Sequence, residues 1–93
     1  MAEKQHEIIV KLPEGKEAKC ILREPNFEVY GMAMVAGTNS TGKFNEIAAG
    51  KFVLDTCWVE GDEIIKKDTK AYVSAAWEAY DLISIYTAEL KKK

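Results

Sequence analysis

The fold depends on residues 54–63, whose sequence is LDTCWVEGDE. Apolar residues recur at helical spacing before this stretch, and they do so again after it as far as the end of the chain. Within it, Glu60, Asp62 and Glu63 surround Gly61, a composition typical of a solvent-exposed turn. The sequence therefore predicts two helices joined by a short acidic turn.

The segment before this turn predicts a helix over residues 43–58. Its apolar side chains lie near one face: Phe44, Ile47, Ala48, Leu54 and Cys57. Gly50 lies inside this helix, where glycine costs about 1 kcal/mol relative to alanine. We therefore expect another part of the chain to pack closely against Gly50.

The segment after the turn predicts the longest helix, which begins at Asp68 or Thr69 and continues towards Lys91. Apolar residues recur in it at alternating spacings of four and three. They are Tyr72, Ala76, Ala79, Ile83, Tyr86 and Leu90, flanked by Val73, Trp77, Tyr80 and Leu82. This surface is wider than one packing seam needs, so we expect part of it to be available to a partner.

Residues 7–23 predict a β-hairpin, because apolar and polar side chains alternate on both sides of the turn at residues 13–16. Asn26 is a good N-cap for a short helix that begins at Phe27 and ends at Gly37, although the same apolar run also fits a buried strand. We therefore predict an α+β fold. A single domain over residues 1–93 has its hairpin at 7–23 and its helical part, three helices with the C-terminal one longest, at 26–93.

The composition excludes several classes of protein. With 93 residues, of which 47% are hydrophobic, the chain has enough apolar material for one folded domain. A net charge of −2 provides no basic field for nucleic acid, and no apolar run is long enough to span a membrane. Cys20 and Cys57 are expected to be reduced and buried, and the polar N-terminus indicates an intracellular protein.

Residues 37–43, GTNSTGK, match most of a phosphate-binding loop. However, Phe44 stands where a Ser or Thr hydroxyl must reach Mg²⁺, and too few residues follow for a nucleotide-binding sheet. A nucleotide-binding protein that uses Gly37–Lys43 is therefore the least favoured alternative. His6, the single histidine, is expected to be exposed without a function. We predict no catalytic, cofactor or metal site and no enzymatic activity.

The aromatic residues of the last predicted helix suggest a protein-binding surface, since such side chains are enriched at interface hot spots. We predict that Trp77, Tyr80, Ile83 and Tyr86 contact a partner. The acidic turn would form the rim of this surface through Glu60, Asp62 and Glu63; the alternative is a solvated turn without a partner.

The order of these elements resembles the tail assembly chaperones encoded in the tail modules of long-tailed bacteriophages and prophages. The likeness covers about residues 7–92 and is carried by LREP at 22–25, LDTCWVEGDE at 54–63 and AELKK at 88–92. It implies a non-enzymatic protein in the cytoplasm of the bacterial host that self-associates and binds the apolar helices of a tape-measure-type partner. The alternative is a structural virion component, such as a minor tail or head–tail connector subunit. No cofactor, nucleic acid or membrane is expected as a ligand.

Overall fold

The predicted hairpin forms the first two strands of the sheet. In the computed structural model, which describes residues 4–39 and 41–83, strands β1 (Gln5–Lys11) and β2 (Glu17–Arg23) pair antiparallel with Ile8 opposite Cys20. The alternate side chains Ile8, Val10, Ala18, Cys20 and Leu22 are buried. The alternation of apolar and polar residues therefore predicted both the strands and the face that enters the core.

The first half of the predicted acidic turn, Glu60 and Gly61, belongs instead to a third strand, and only Asp62 and Glu63 connect this strand to the next helix. Strand β3 (Trp58–Gly61) begins directly after a helix and pairs antiparallel with β2, so the strand order is β1-β2-β3. Trp58 and Val59 have high β propensity. A Cβ atom at Gly61 would lie 2.5 Å from Cβ of Cys20, so glycine lets β3 lie close against β2.

Two capped helices lie between β2 and β3. The run after Asn26 is a helix rather than a strand: α1 (Phe27–Gly37) starts where the Asn26 side chain accepts a hydrogen bond from the amide of Val29 at 3.0 Å. Helix α2 (Glu46–Cys57) begins three residues later than predicted, because the side chain of Asn45 caps it. Both starts follow the preference of asparagine for the N-cap.

The segment after β3 contains two helices where one was predicted. The additional helix α3 (Ile64–Lys67) is a single turn that buries Ile65. Of the two predicted caps, Asp68 and Thr69, the structure has Asp68, whose side chain accepts hydrogen bonds from the amides of Lys70 and Ala71 in α4 (Thr69–Tyr80). A 3-10 turn over Asp81–Ile83 follows. Over the described residues α4 and α2 have 12 residues each. The predicted helix thus ends at Tyr80 and gives way to the 3-10 turn, and the rest of its predicted course towards Lys91 lies outside the described residues.

Helix α4 lies at the centre of the packing. It contacts β1 on one side and α2 on the other, and α1 packs against α2. Four small residues of α4 are buried: Ala71, Ala75, Ala76 and Ala79. The predicted close packing at Gly50 is confirmed, because a Cβ atom there would overlap the carbonyl group of Ala76.

Candidate protein-binding surfaces

Helix α1 carries the most exposed apolar side chains of the described residues. It buries Val29, Ala33 and Gly37 on the side that packs against α2. On the other side Phe27 is 93% exposed and Val35 69%, and Met32 and Met34 are also exposed. We call these four residues the α1 surface. The only charged residue of α1 is Glu28, whereas a helix that is apolar all round is normally covered all round.

The α1 surface is held on a fixed element. Tyr30, on the inner side of α1, donates a hydrogen bond from its hydroxyl to the carbonyl oxygen of Leu82 at 3.1 Å. At the end of the helix the amide of Asn45 donates to the carbonyl oxygen of Gly37 at 2.6 Å. Both bonds hold the inner side of the helix against the rest of the domain, so its apolar outer side faces outward.

A second apolar surface lies between α2 and α4. A groove of about 380 Å³ is lined by Ile47, Val73, Ser74, Trp77 and Glu78. Trp77 is 51% exposed, and Val73 one turn earlier is also exposed. We call this the Trp77 groove. It contains one residue of the partner-binding set predicted from the sequence.

The other predicted apolar contacts do not share this exposure. Tyr80 is half-buried, with its ring centroid 5.9 Å from that of Phe44. Ile83 is 2% exposed and belongs to the hydrophobic core, so it offers no surface to a partner. Tyr86 lies outside the described residues. Helical spacing placed Ile83 on the same stripe as Ala76 and Ala79, and these three residues are all buried, so this part of the stripe faces the core.

The three acidic residues predicted as a rim lie elsewhere. None of them lines the Trp77 groove. Glu60 is exposed on β3, and Asp62 accepts a hydrogen bond from the amide of Lys19 at 2.8 Å. Glu63 forms an ion pair with Lys67 at 3.1 Å. Asp62 therefore joins the end of the sheet to β2, and none of the three carboxylates surrounds Trp77.

The loop that resembles a phosphate-binding loop is closed on itself. Asn39 accepts hydrogen bonds at Oδ1 from the amides of Thr41 and Lys43, at 3.0 and 3.1 Å. These amides would have to point at a phosphate if the loop bound one. The loop also follows helix α1, whereas a phosphate-binding loop follows a strand. Its local geometry therefore supports a connection between helices.

The described residues contain few groups with unusual chemistry. His6 is half-buried in β1, with Nε2 at 3.1 Å from a carboxylate oxygen of Glu24, so the predicted exposure of His6 was wrong. The pKa of Tyr72 is raised to about 12 by two causes together. The larger is burial, and the second is the hydrogen bond that the Tyr72 hydroxyl donates to Asp55 at 2.6 Å. In residues 4–39 and 41–83, no group of three His, Cys, Asp or Glu side chains could hold a metal ion.

Cys20 and Cys57 are buried, as predicted. Burial raises the pKa of the Cys20 thiol from its ordinary value of 9.0 to about 11, and the negative charge of Asp62 adds to the effect. A thiol with such a pKa is protonated at neutral pH and is a poor nucleophile.

The raised pKa of Cys20 predicts alkaline destabilisation. The unfolded chain loses its thiol proton near pH 9, while the folded chain keeps it until about pH 11. The free energy of unfolding therefore falls as the pH rises between these values, by about 2 kcal/mol at pH 11. Urea unfolding at pH 8, 9, 10 and 11 measures this slope. Cys20→Ala should make it shallower, and an unchanged slope in that variant would contradict the assignment.

Comparisons with protein-family models, with curated proteins and with solved structures found no match for this chain. Every helix within the described residues is too short or too polar to cross a bilayer. The class of the protein must therefore be inferred from the surfaces themselves, and these are two apolar surfaces suited to protein contact.

Proposed function

We propose that this protein is a non-enzymatic assembly chaperone that binds an apolar helix of a protein partner on the α1 surface. The exposure of Phe27 carries the proposal, because a fully exposed phenylalanine on a helix with one charged residue is unfavourable without a partner. Burial of Phe27 and Val35 would contribute about 1.5–3 kcal/mol for each side chain.

The mechanism is mass action. A partner whose apolar helix is bound cannot use the same surface to aggregate, so the soluble form is favoured in proportion to the free chaperone concentration. Helix-in-groove recognition uses anchors at spacings of three and four residues. The α1 surface presents Phe27, Gly31 and Val35 at successive spacings of four, and nothing lies within 4 Å of a Cβ atom placed at Gly31. A partner helix could therefore approach closely at Gly31.

The resemblance to phage tail assembly chaperones supports a more specific form of this proposal. In that form the partner is of the tape-measure type, and binding takes place in the cytoplasm of the bacterial host before the tail assembles. A structural virion component is the alternative. Purified particles distinguish the two, because a structural subunit remains in the particle and a chaperone does not.

A direct binding experiment tests the α1 surface. The probe is a fluorescein-labelled amphipathic helix with leucine at spacings of three and four residues, followed by anisotropy. The double variant Phe27→Ser/Val35→Ser should bind this helix at least about 100-fold more weakly, because two apolar anchors are lost. The matched control is Ile9→Ser/Val59→Ser, which removes two exposed apolar side chains of the sheet. The control should bind within about twofold of the natural protein.

Equal affinities of the two double variants would contradict the proposal. Trp77→Ser is a third variant to be measured in the same experiment. Loss of binding in this variant alone would assign the partner site to the Trp77 groove instead. Circular dichroism of each variant should show unchanged helix content, because all substituted side chains are exposed.

A further inference from the structure

Within residues 4–39 and 41–83, the outer edge of β1 has backbone hydrogen-bonding groups that no other strand pairs with. Strand β1 pairs with β2 on one side, and no described strand pairs with its other side. The amide of Leu12 donates a hydrogen bond to the carbonyl oxygen of Lys16, and the carbonyl oxygen of Lys4 accepts one from the amide of Glu24. The even-numbered residues of β1 therefore direct their amides and carbonyls towards β2. In an antiparallel pair the alternate residues direct theirs away. The amides and carbonyls of Glu7, Ile9 and Lys11 therefore face the open edge.

Helix α4 extends alongside this open edge and leaves two grooves beneath it. One, of about 460 Å³, lies along the first half of β1, where Glu78, Asp81 and Leu82 line it. The other, of about 370 Å³, lies along the second half, where α4 contributes Lys70, Ala71 and Ser74. An added strand would thus find hydrogen-bonding groups on β1 and side chains of α4 below it.

The charges along this edge are separated by sign. The first half of β1 carries Glu7, with Glu78 on the adjacent part of α4 and Asp81 in the 3-10 turn that follows it. The second half carries Lys11, with Lys70 on α4. Asp68 also lies in this half, but its carboxylate caps α4. The ammonium group of Lys11 donates a hydrogen bond to the carboxylate of Glu17 on β2 at 2.6 Å. Ile8, Ile9 and Val10 separate the two charged ends.

We infer that this edge binds one extended segment of a partner protein, which adds to the sheet as an antiparallel fourth strand next to β1. The segment has carboxylates at its N-terminal end, β-branched residues at its centre and cations at its C-terminal end. In this direction its carboxylates lie opposite Lys11 and its cations opposite Glu7, so each directly opposed charged pair is attractive. Addition of a strand to a free edge is an established mode of peptide recognition.

A single strand fits this edge better than a second copy of the domain. Helix α4 packs against β1 itself. If two copies joined through β1, their α4 helices would lie beneath adjacent strands, which are about 4.8 Å apart. Helix axes pack at about 8–10 Å. A lone extended segment brings no helix with it and avoids this conflict. The inference is independent of the α1 surface, which lies on a different element.

Peptide binding to the intact protein tests the inference. The probe is the labelled peptide Glu-Glu-Val-Val-Val-Lys-Lys, and the control has the reversed order Lys-Lys-Val-Val-Val-Glu-Glu. We expect the control to bind about tenfold more weakly, because like charges would then be opposed at both ends. Methylation of the amide of the central valine, which faces Ile9, should weaken binding by about tenfold or more. Methylation of the first valine amide, which points away from β1, should change it by less than about threefold.

Variants of the protein complete the experiment. Glu7→Lys should lower the affinity for the first peptide by about tenfold. Glu60→Lys, a matched change on the opposite edge strand, should leave that affinity within about twofold of the natural protein. Equal binding of the two peptides, or no binding of either up to about 1 mM, would overturn the inference. A concentration-dependent dimer that is dispersed by Glu7→Lys would also overturn it, since the edge would then be occupied by a second copy.

Discussion

We expect Gly50→Ala to lower the free energy of unfolding by at least about 3 kcal/mol. The new Cβ atom would overlap the carbonyl oxygen of Ala76 and lie 2.8 Å from its carbonyl carbon. These are backbone atoms of α4, so no change of rotamer relieves the overlap. Helices α2 and α4 must separate, and the buried alanines between them would lose contact. Urea unfolding followed by circular dichroism measures the loss.

The same substitution at Gly31 is the matched control. Gly31 also lies inside a helix, but nothing is within 4 Å of a Cβ atom placed there. Because alanine has the higher helix propensity, Gly31→Ala should stabilise the protein by about 0.5–1 kcal/mol. Stabilisation at both positions would show that helix propensity, rather than the contact with Ala76, governs the effect at Gly50.

The sequence predicted the features that depend on local chemistry. The alternation of apolar and polar residues predicted β1 and β2, and the capping residues Asn26 and Asp68 indicated where α1 and α4 begin. Strand β3 was missed because its four residues continue directly from α2. Its strand conformation depends on pairing with β2, which is distant in sequence. Such tertiary context overrides the local pattern.

The exposed apolar side of α1 was not predicted, because the sequence analysis relied on the aromatic residues of the last helix. Four buried alanines provide the packing of α4, so its aromatic side chains are displaced to the margins of the contact rather than collected on a free face. The available signal was the scarcity of charge in FEVYGMAMVAG, residues 27–37, where Glu28 stands alone. A helix of this composition with one packed side leaves apolar surface exposed.

We expect Gly61→Val to be the second most damaging of the substitutions considered, with a loss of about 3 kcal/mol. A Cβ atom at this position would lie 2.5 Å from Cβ and 2.8 Å from Cα of Cys20. Because Cys20 is held in the central strand, β3 must move away from β2. That movement uncovers the buried thiol. Urea unfolding measures the loss of stability, and alkylation of Cys20 under native conditions, mapped by mass spectrometry, should be at least about tenfold faster.

Glu60→Val controls for the residue type, since Glu60 precedes Gly61 in the same strand and its side chain is exposed. Valine has the higher β propensity, so this variant should be within about 0.5 kcal/mol of the natural protein and should keep Cys20 protected. If valine at position 61 were tolerated equally well, close packing of β3 on Cys20 could not be the reason that this acidic segment is a strand. Rapid alkylation of Cys20 in the Glu60 variant, which keeps the contact at Gly61, would likewise show that this contact is not what protects the thiol.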